Sequence, residues 1–275
     1  MEKNEAAGIR YQRLTTVSGC EIAIFGFRAK DMPGYRIILL SALMFHPRFS
    51  FGQAHIDTVK FSVINSYTNF NAVECTFPFI RTGNTMIDST LNQDFISRFT
   101  GTAYTGLSVD SALKKWAGDQ LTSLEFEITY FRHDYISLHI SAESCGAHCS
   151  GWISYFTYAT RTGKHVSIGD VVDTSGAFRN MVLRDRKRQY DMQRIDLKKL
   201  MDNKENGIDE DTYRWALENT NNCDNSFTFD SFGLYPDHLK IVDPCYFPNA
   251  IQELAPDIQL GYMYKDIHEY LKIEF

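Results

Sequence analysis

From Glu125 onward the chain alternates apolar and polar positions with a period of two. In "EFEITYF" Phe126, Ile128 and Tyr130 alternate with Glu125, Glu127 and Thr129; in "YISLHISA" Ile136, Leu138, Ile140 and Ala142 alternate with Ser137, His139 and Ser141. Successive side chains of a strand point to opposite faces, so each run predicts a strand with one buried face. Arg132, His133 and Asp134 turn the first into the second. The aromatic and β-branched run "GWISYFTYAT" predicts a third strand, which "RTGK" turns into "HVSI", with Gly163 free to take a positive φ. The piece is an antiparallel meander. Its second connection is Gly146, Ala147 and His148, which sets Cys145 and Cys149 opposite each other at the base. A later run, "SFTFDSFGLYPDHLKIV", predicts strand, turn about Gly233 and Leu234, and strand, with Cys223 and Cys245 equally far from residue 234, one on each arm. Close cross-strand spacing therefore predicts disulfides Cys145–Cys149 and Cys223–Cys245, leaving Cys75 free.

Elsewhere the period becomes helical. "MIDSTLNQDFISRF" spaces Ile87, Leu91, Phe95 and Phe99 four apart, and "SVDSALKKW" sets Val109, Ala112, Leu113 and Trp116 on one face behind a candidate cap, Ser108. A third helix is predicted after Thr174 and Ser175 with Phe178, Met181 and Val182 inward. Polar helical pieces follow from Gln193 to about Asn219, and "YKDIHEYLK" predicts a last short helix. Together these elements predict an α+β fold, an antiparallel meander packed against several helices, in one domain over residues 55–275.

Ahead of that domain, "MPGYRIILLSALMFHPRFSFGQA" has Arg36, an apolar run Ile37–Phe45 and the small residues Gly52 and Ala54 about Gln53, the layout of a secretory signal peptide over residues 32–54. The apolar run is too short for a membrane-spanning helix, which needs about 20 residues. A buried strand or helix is the other reading of the segment. If it is a signal, residues 1–31 fall outside the natural product, Met32 is the start, and the mature chain begins near His55. "TVSGC" at 16–20 mimics a lipoprotein attachment box but lacks the apolar run such a signal needs upstream. Export would remove Cys20 and place the other cysteines in an oxidising compartment.

Charge narrows the partner class. A net charge of -6 over 275 residues gives no general attraction for a polyanion, and "RDRKR" at 184–188 reads as a solvated helix face. Nucleic acid is not an expected partner.

The order of elements is itself informative. "FEITYFRHDYISLHISAESCGAHCSGWISYFTYATRTGKHVSIGDVV", followed by "NSFTFDSFGLYPDHLKIV" and "IQLGYMYKDIHEYL", resembles an extracytoplasmic domain family of largely unknown function. That family occurs in lysozyme-sensing anti-sigma factors of the RsiV type and as the N-terminal domain of PdaC-type peptidoglycan deacetylases. The resemblance spans roughly residues 57–273, and its most specific piece is Gly146, Ala147 and His148 followed by an aromatic strand and "TGK" before "IGDVV". It implies a secreted or periplasmic binding module that recognises lysozyme or another cell-wall hydrolase. Cysteines flank the Gly-Ala-His core where the family pattern has a glycine before and often a proline after, and the stretch 190–222 looks like a family-variable connection.

Catalytic signatures fail their companion checks. Thr228, Phe229 and Asp230 mimic the opening of a deacetylase metal motif, but Ser231 replaces its second aspartate and no two histidines stand four apart. Ser111-Ala112-Leu113-Lys114 matches Ser-x-x-Lys without ordered partner motifs. Zinc on Cys145, His148 and Cys149 would lack a fourth ligand and need thiolates that an oxidising compartment removes. No metal or cofactor is therefore expected. The expected contact surface is "YFPNAIQELAPDIQ", through Tyr246, Phe247, Ile251 and Leu254, with His148 at the hairpin tip as a further contact; the same loop could instead fold back over the core. The alternative function is a peptidoglycan-associated hydrolase or deacetylase-type enzyme using His148 with Asp134 or Asp170.

Overall fold

The computed structural model describes residues 54–275, apart from 65–71, 102–106 and the single positions 119, 133, 147, 204 and 206. The segment expected to be a signal peptide, except its last residue, and the stretch 1–31 lie outside the described residues. The fold is α+β, as the alternating and helical periods predict.

The described chain opens with an antiparallel ribbon, β1 (His55–Ile64) and β2 (Ala72–Arg81). Its inner positions Phe61, Val63, Cys75, Phe77 and Ile80 are buried under α1 (Thr85–Thr100) and α2 (Val109–Ala117). Asn84 caps α1 by accepting from the backbone N–H of Met86 at 3.0 Å. Buried Asn92 then clamps β2 to the helix: its Oδ1 accepts from Ile80 N at 2.9 Å and its Nδ2 donates to Ile80 O at 2.8 Å. Ser108 does occupy the position ahead of α2, but its side chain makes no capping bond and donates to Asp110 instead, at 2.6 Å.

The predicted meander is β3 (Leu121–Arg132), β4 (Tyr135–Cys145), β5 (Cys149–Ala159) and the short β6 (Lys164–His165), hydrogen-bonded in that order. Gly163 turns β5 into β6 with φ 69°. The inner face carries Leu124, Phe126, Leu138, Ile140, Ala142 and Phe156 onto α1 and α2, where Phe95 stacks on Phe77 and meets Phe156 edge-on at 4.8 Å. Burying one such ring contributes about 1.5–3 kcal/mol. One expected core residue departs. Ile128 is 41% exposed, because a register shift between Ile128 and Tyr130 turns the strand so that Thr129 goes inward beside Tyr130, which is buried as expected.

After the single turn α3 (Ile168–Val171), the third helix is one continuous element, α4 (Gly176–Asp202), followed by α5 (Glu210–Asn225). A second antiparallel sheet follows, with β8 (His238–Asp243) between β7 (Phe232–Leu234) and β9 (Ile258–Met263). Leu239, Ile241, Leu260 and Tyr262 from this sheet share a core with Phe178 and Val182 of α4. Gln189 of α4 blocks the open edge of β9: its Nε2 donates to Gln259 O at 2.8 Å and its Oε1 accepts from Gln259 N at 3.2 Å. The expected C-terminal helix is instead two 3₁₀ turns, Tyr264–Asp266 and His268–Tyr270.

Both predicted disulfides are present, and Cys75 is free and buried. Cys145 and Cys149 are register partners at the base of the β4–β5 hairpin, as the spacing implies. The reason offered for the second pair is corrected: Cys223 lies near the end of α5 and not on a strand arm, so the bridge ties a helix terminus to the segment just after β8.

Candidate functional site

Register assigns the outer face of the meander row by row. Ser123, Glu143 and Gly151 share one row; Glu125, Ser141 and Ile153 the next; Glu127, His139 and Tyr155 the third. This face is acidic along β3 and β4 and apolar along β5. The second sheet lies against its lower end. Leu234 N donates to buried Ser137 Oγ at 3.0 Å, and a Cβ on Gly233 would lie 3.0 Å from the Tyr155 ring, so glycine is what allows β7 to approach this closely.

The connection from β8 to β9, residues 244–257, forms the opposite wall. Its inner side is pinned by Cys223–Cys245, by Phe247 and Ile251 packed with Leu197 and Ala216, and by Gln193 Nε2 donating to Leu254 O at 2.8 Å. Its outer side meets the hairpin end, where Ser150 Oγ donates to Asn249 Oδ1 at 3.2 Å. Between wall and sheet lies a groove of about 480 Å³ whose lining includes Ser141, Ile153, Tyr155, Tyr246, Asp257 and Gln259.

Tyr155 is the electrostatic centre of the groove. Burial, then its hydrogen-bonded neighbour Tyr235, then the charges of Asp257 and Glu127, hold its hydroxyl protonated well above the usual tyrosine range. Lys240 of β8 places its ammonium 5.9 Å from the centroids of both Tyr155 and Tyr235. His139 lies against the Tyr155 ring at 5.5 Å with Nε2 3.6 Å from Glu127 Oε2, while its Nδ1 is buried with no hydrogen-bond partner among the described residues. Burial, together with Lys240, lowers the His139 pKa against the opposing pull of Glu127.

The expected contact residues divide. Tyr246 is 65% exposed on the rim and His148 is exposed at the hairpin tip. Phe247 and Ile251 are buried and Leu254 is half-buried, so these large residues of the loop hold it to the body instead of facing outward. At the tip the His148 carbonyl accepts from Gly146 N at 3.0 Å. His148 is not brought to either aspartate. Asp134 sits at the other end of the 11-residue β4, paired with Arg161 at 2.7 Å, and Asp170 accepts from the Ser167 hydroxyl at 2.6 Å. Cys145 and Cys149 are consumed in a disulfide, and no three His, Cys, Asp or Glu side chains among the described residues are grouped to hold a metal ion. Glu127, His139, Tyr155, Lys240 and Asp257 are not among the expected site residues. Alternation marks the first two as outward, but only the register and the second sheet show that this outward face is one wall of a groove.

No family model matches the sequence, and no curated protein does. Among solved structures the chain is similar to a member of the DUF3298 family from Bacteroides fragilis, at 15% identity and TM-score 0.45, covering 80% of this chain and 93% of that one. It is also similar to a DUF3298 family protein from Pseudomonas aeruginosa, at 10% identity and TM-score 0.45, covering 80% of this chain and 94% of that one. At these values no residue role is carried across. No described helix is long and apolar enough to cross a membrane.

Proposed function

We propose that this protein is a non-catalytic binding module of the secreted or periplasmic space whose outer-face groove docks another protein, a cell-wall hydrolase of the lysozyme type. The observation that carries the docking reading is the groove itself. A fixed wall, stapled by a disulfide and packed on its own small core, stands beside a sheet face with Ile153 half exposed and Tyr246 standing out at the rim. Rigid exposed aromatics beside a preformed concavity are what protein partners use as anchors. Two disulfides suit an oxidising compartment. The hydrolase as partner is supported by the resemblance of residues 57–273 to the extracytoplasmic domain of lysozyme sensors. The separation of His148 from Asp134 and Asp170 favours binding over catalysis.

Biolayer interferometry with egg-white lysozyme as the probe tests this. Tyr246→Ala is expected to weaken capture by about 2 kcal/mol, roughly 30-fold, with an unchanged thermal transition. Turnover of peptidoglycan by the purified protein, abolished by a groove substitution that leaves it folded, would replace this reading with the enzyme.

A further inference from the structure

The groove has the chemistry of a cation receptor, and we propose that it captures an arginine side chain presented by a basic protein partner. This rests on the docking reading and adds the chemical identity of the anchor. Glu125, Glu127 and Glu143 are exposed on the outer face of β3 and β4, and Asp257 is exposed on the opposite wall. Tyr155 shares a strand row with Glu127 and lines the groove together with Asp257. Glu127 and Asp257 therefore approach one aromatic floor from the two walls, with Glu125 and Glu143 further along the sheet face.

The floor already accommodates a cation. The chain's own Lys240 ammonium lies over Tyr155 and Tyr235 from the β8 side. Glu127, in the strand row of Tyr155, and Asp257, in the groove lining, outnumber that ammonium, so the field at the floor attracts a further positive charge and repels an anion. Ile153 and Tyr246 supply apolar surface along which a long side-chain stem can pack. Asp257 is oriented in advance, both its oxygens accepting from Gln259 Nε2 at 2.6 and 2.7 Å. A guanidinium suits these features better than a second ammonium. It stacks flat on a tyrosine face and offers a carboxylate two parallel N–H donors.

The test is a nuclear magnetic resonance titration of the full chain with acetyl-Gly-Arg-Gly-amide, beside the same peptide carrying citrulline, the neutral isostere. Saturable shifts of the Ile153, Tyr155, Asp257 and Gln259 amides are expected with arginine and not with citrulline. The paired change Glu127→Gln and Asp257→Asn, both at exposed positions, should weaken that binding roughly tenfold or more. Lys240→Gln should strengthen it by removing a like charge. Equal response to citrulline, shifts confined to other surfaces, or a paired variant that binds as wild type would each overturn the proposal. Lysozyme separates this from the broader reading. Capture by wild type and equally by the paired variant leaves docking intact and sinks the arginine anchor, whereas arginine binding in the groove without lysozyme capture supports the anchor and removes that partner.

Discussion

Tyr246 and Phe247 are neighbours in sequence with opposite surroundings, the first 65% exposed at the groove rim and the second 6% exposed against Leu197 and Ile251. Truncating Phe247 should open a cavity, and Phe247→Ala is expected to cost about 3–5 kcal/mol of stability. Tyr246→Ala should stay within about 0.5 kcal/mol, as should His148→Ala, since both side chains are exposed. Urea midpoints of the three variants check this, and equal losses for 246 and 247 would mean that the loop is held differently. The sequence could not separate the two because a proline-punctuated loop has no period from which to read an inward face. Arg186 shows the reverse case. Within "RDRKR" it reads as part of a solvated face, yet it is 4% exposed, donates to Asp243 at 2.6 Å and to Asp224 at 2.9 Å, and lies between the Tyr190 and Phe227 rings. A signal was present. Val182, Arg186 and Tyr190 stand four apart and are all buried, so Arg186 continues the inward stripe of α4.

At the scale of elements, the two disulfides constrain chain segments of different length, with separations of 4 and 22 residues. Loop-closure entropy makes the longer one the larger contributor. Cys223→Ser with Cys245→Ser is expected to cost about 3 kcal/mol, and Cys145→Ser with Cys149→Ser about 2 kcal/mol. Thermal unfolding of the two double variants checks the order; a larger loss at the hairpin would place the stability of the meander, not of the 244–257 wall, in its disulfide. The meander was legible because its alternation is regular and its inner face is uniformly apolar. Where a bulge breaks that regularity, the pattern misplaced Ile128. The β1–β2 ribbon went unread, although Val59, Phe61 and Val63 alternate, because Pro78 stands inside the second run and proline argues against a central strand. It is tolerated here because β2 pairs only with β1 in a two-stranded sheet. The pairing of Cys223 with Cys245 came from an apparent hairpin symmetry that the fold does not contain: the polar helical stretch was expected to end near Asn219, whereas α5 runs on to Asn225 and carries Cys223.

For the whole molecule, the titrating groups predict how stability follows pH. His139, between the meander and the second sheet, has its pKa lowered by burial and then by Lys240, opposed by Glu127. Burial, then Arg98, lowers His165, opposed by Asp94 and Asp170, as its ring meets Tyr158 at 5.5 Å. A histidine whose folded pKa lies below its unfolded value takes up its proton more readily when the chain is unfolded. Between those two values the unfolded state binds more protons, so stability must fall as pH drops below the ordinary 6.5 toward the folded pKa. The depressed carboxylates act in a separate window. Asp170 and Asp209, held down by hydrogen bonds from Ser167 and Thr212, give stability that is lost only as pH falls below their ordinary 3.8. Urea unfolding at pH 7.5 and pH 5.5 should therefore show a loss to which His139 and His165 contribute and these two carboxylates do not. His139→Gln and His165→Gln should each reduce that loss, because a neutral amide has no proton to gain. The groove should share in it, as His139 lies beside Tyr155 on the same face and its protonation adds a like charge, so an arginine probe should bind less well at the lower pH in wild type and less differently in His139→Gln. A stability that is flat across this interval, or one that rises on acidification, would mean that both imidazoles are as easily charged in the fold as in water, and that the interface between the two sheets is wetter than its packing indicates.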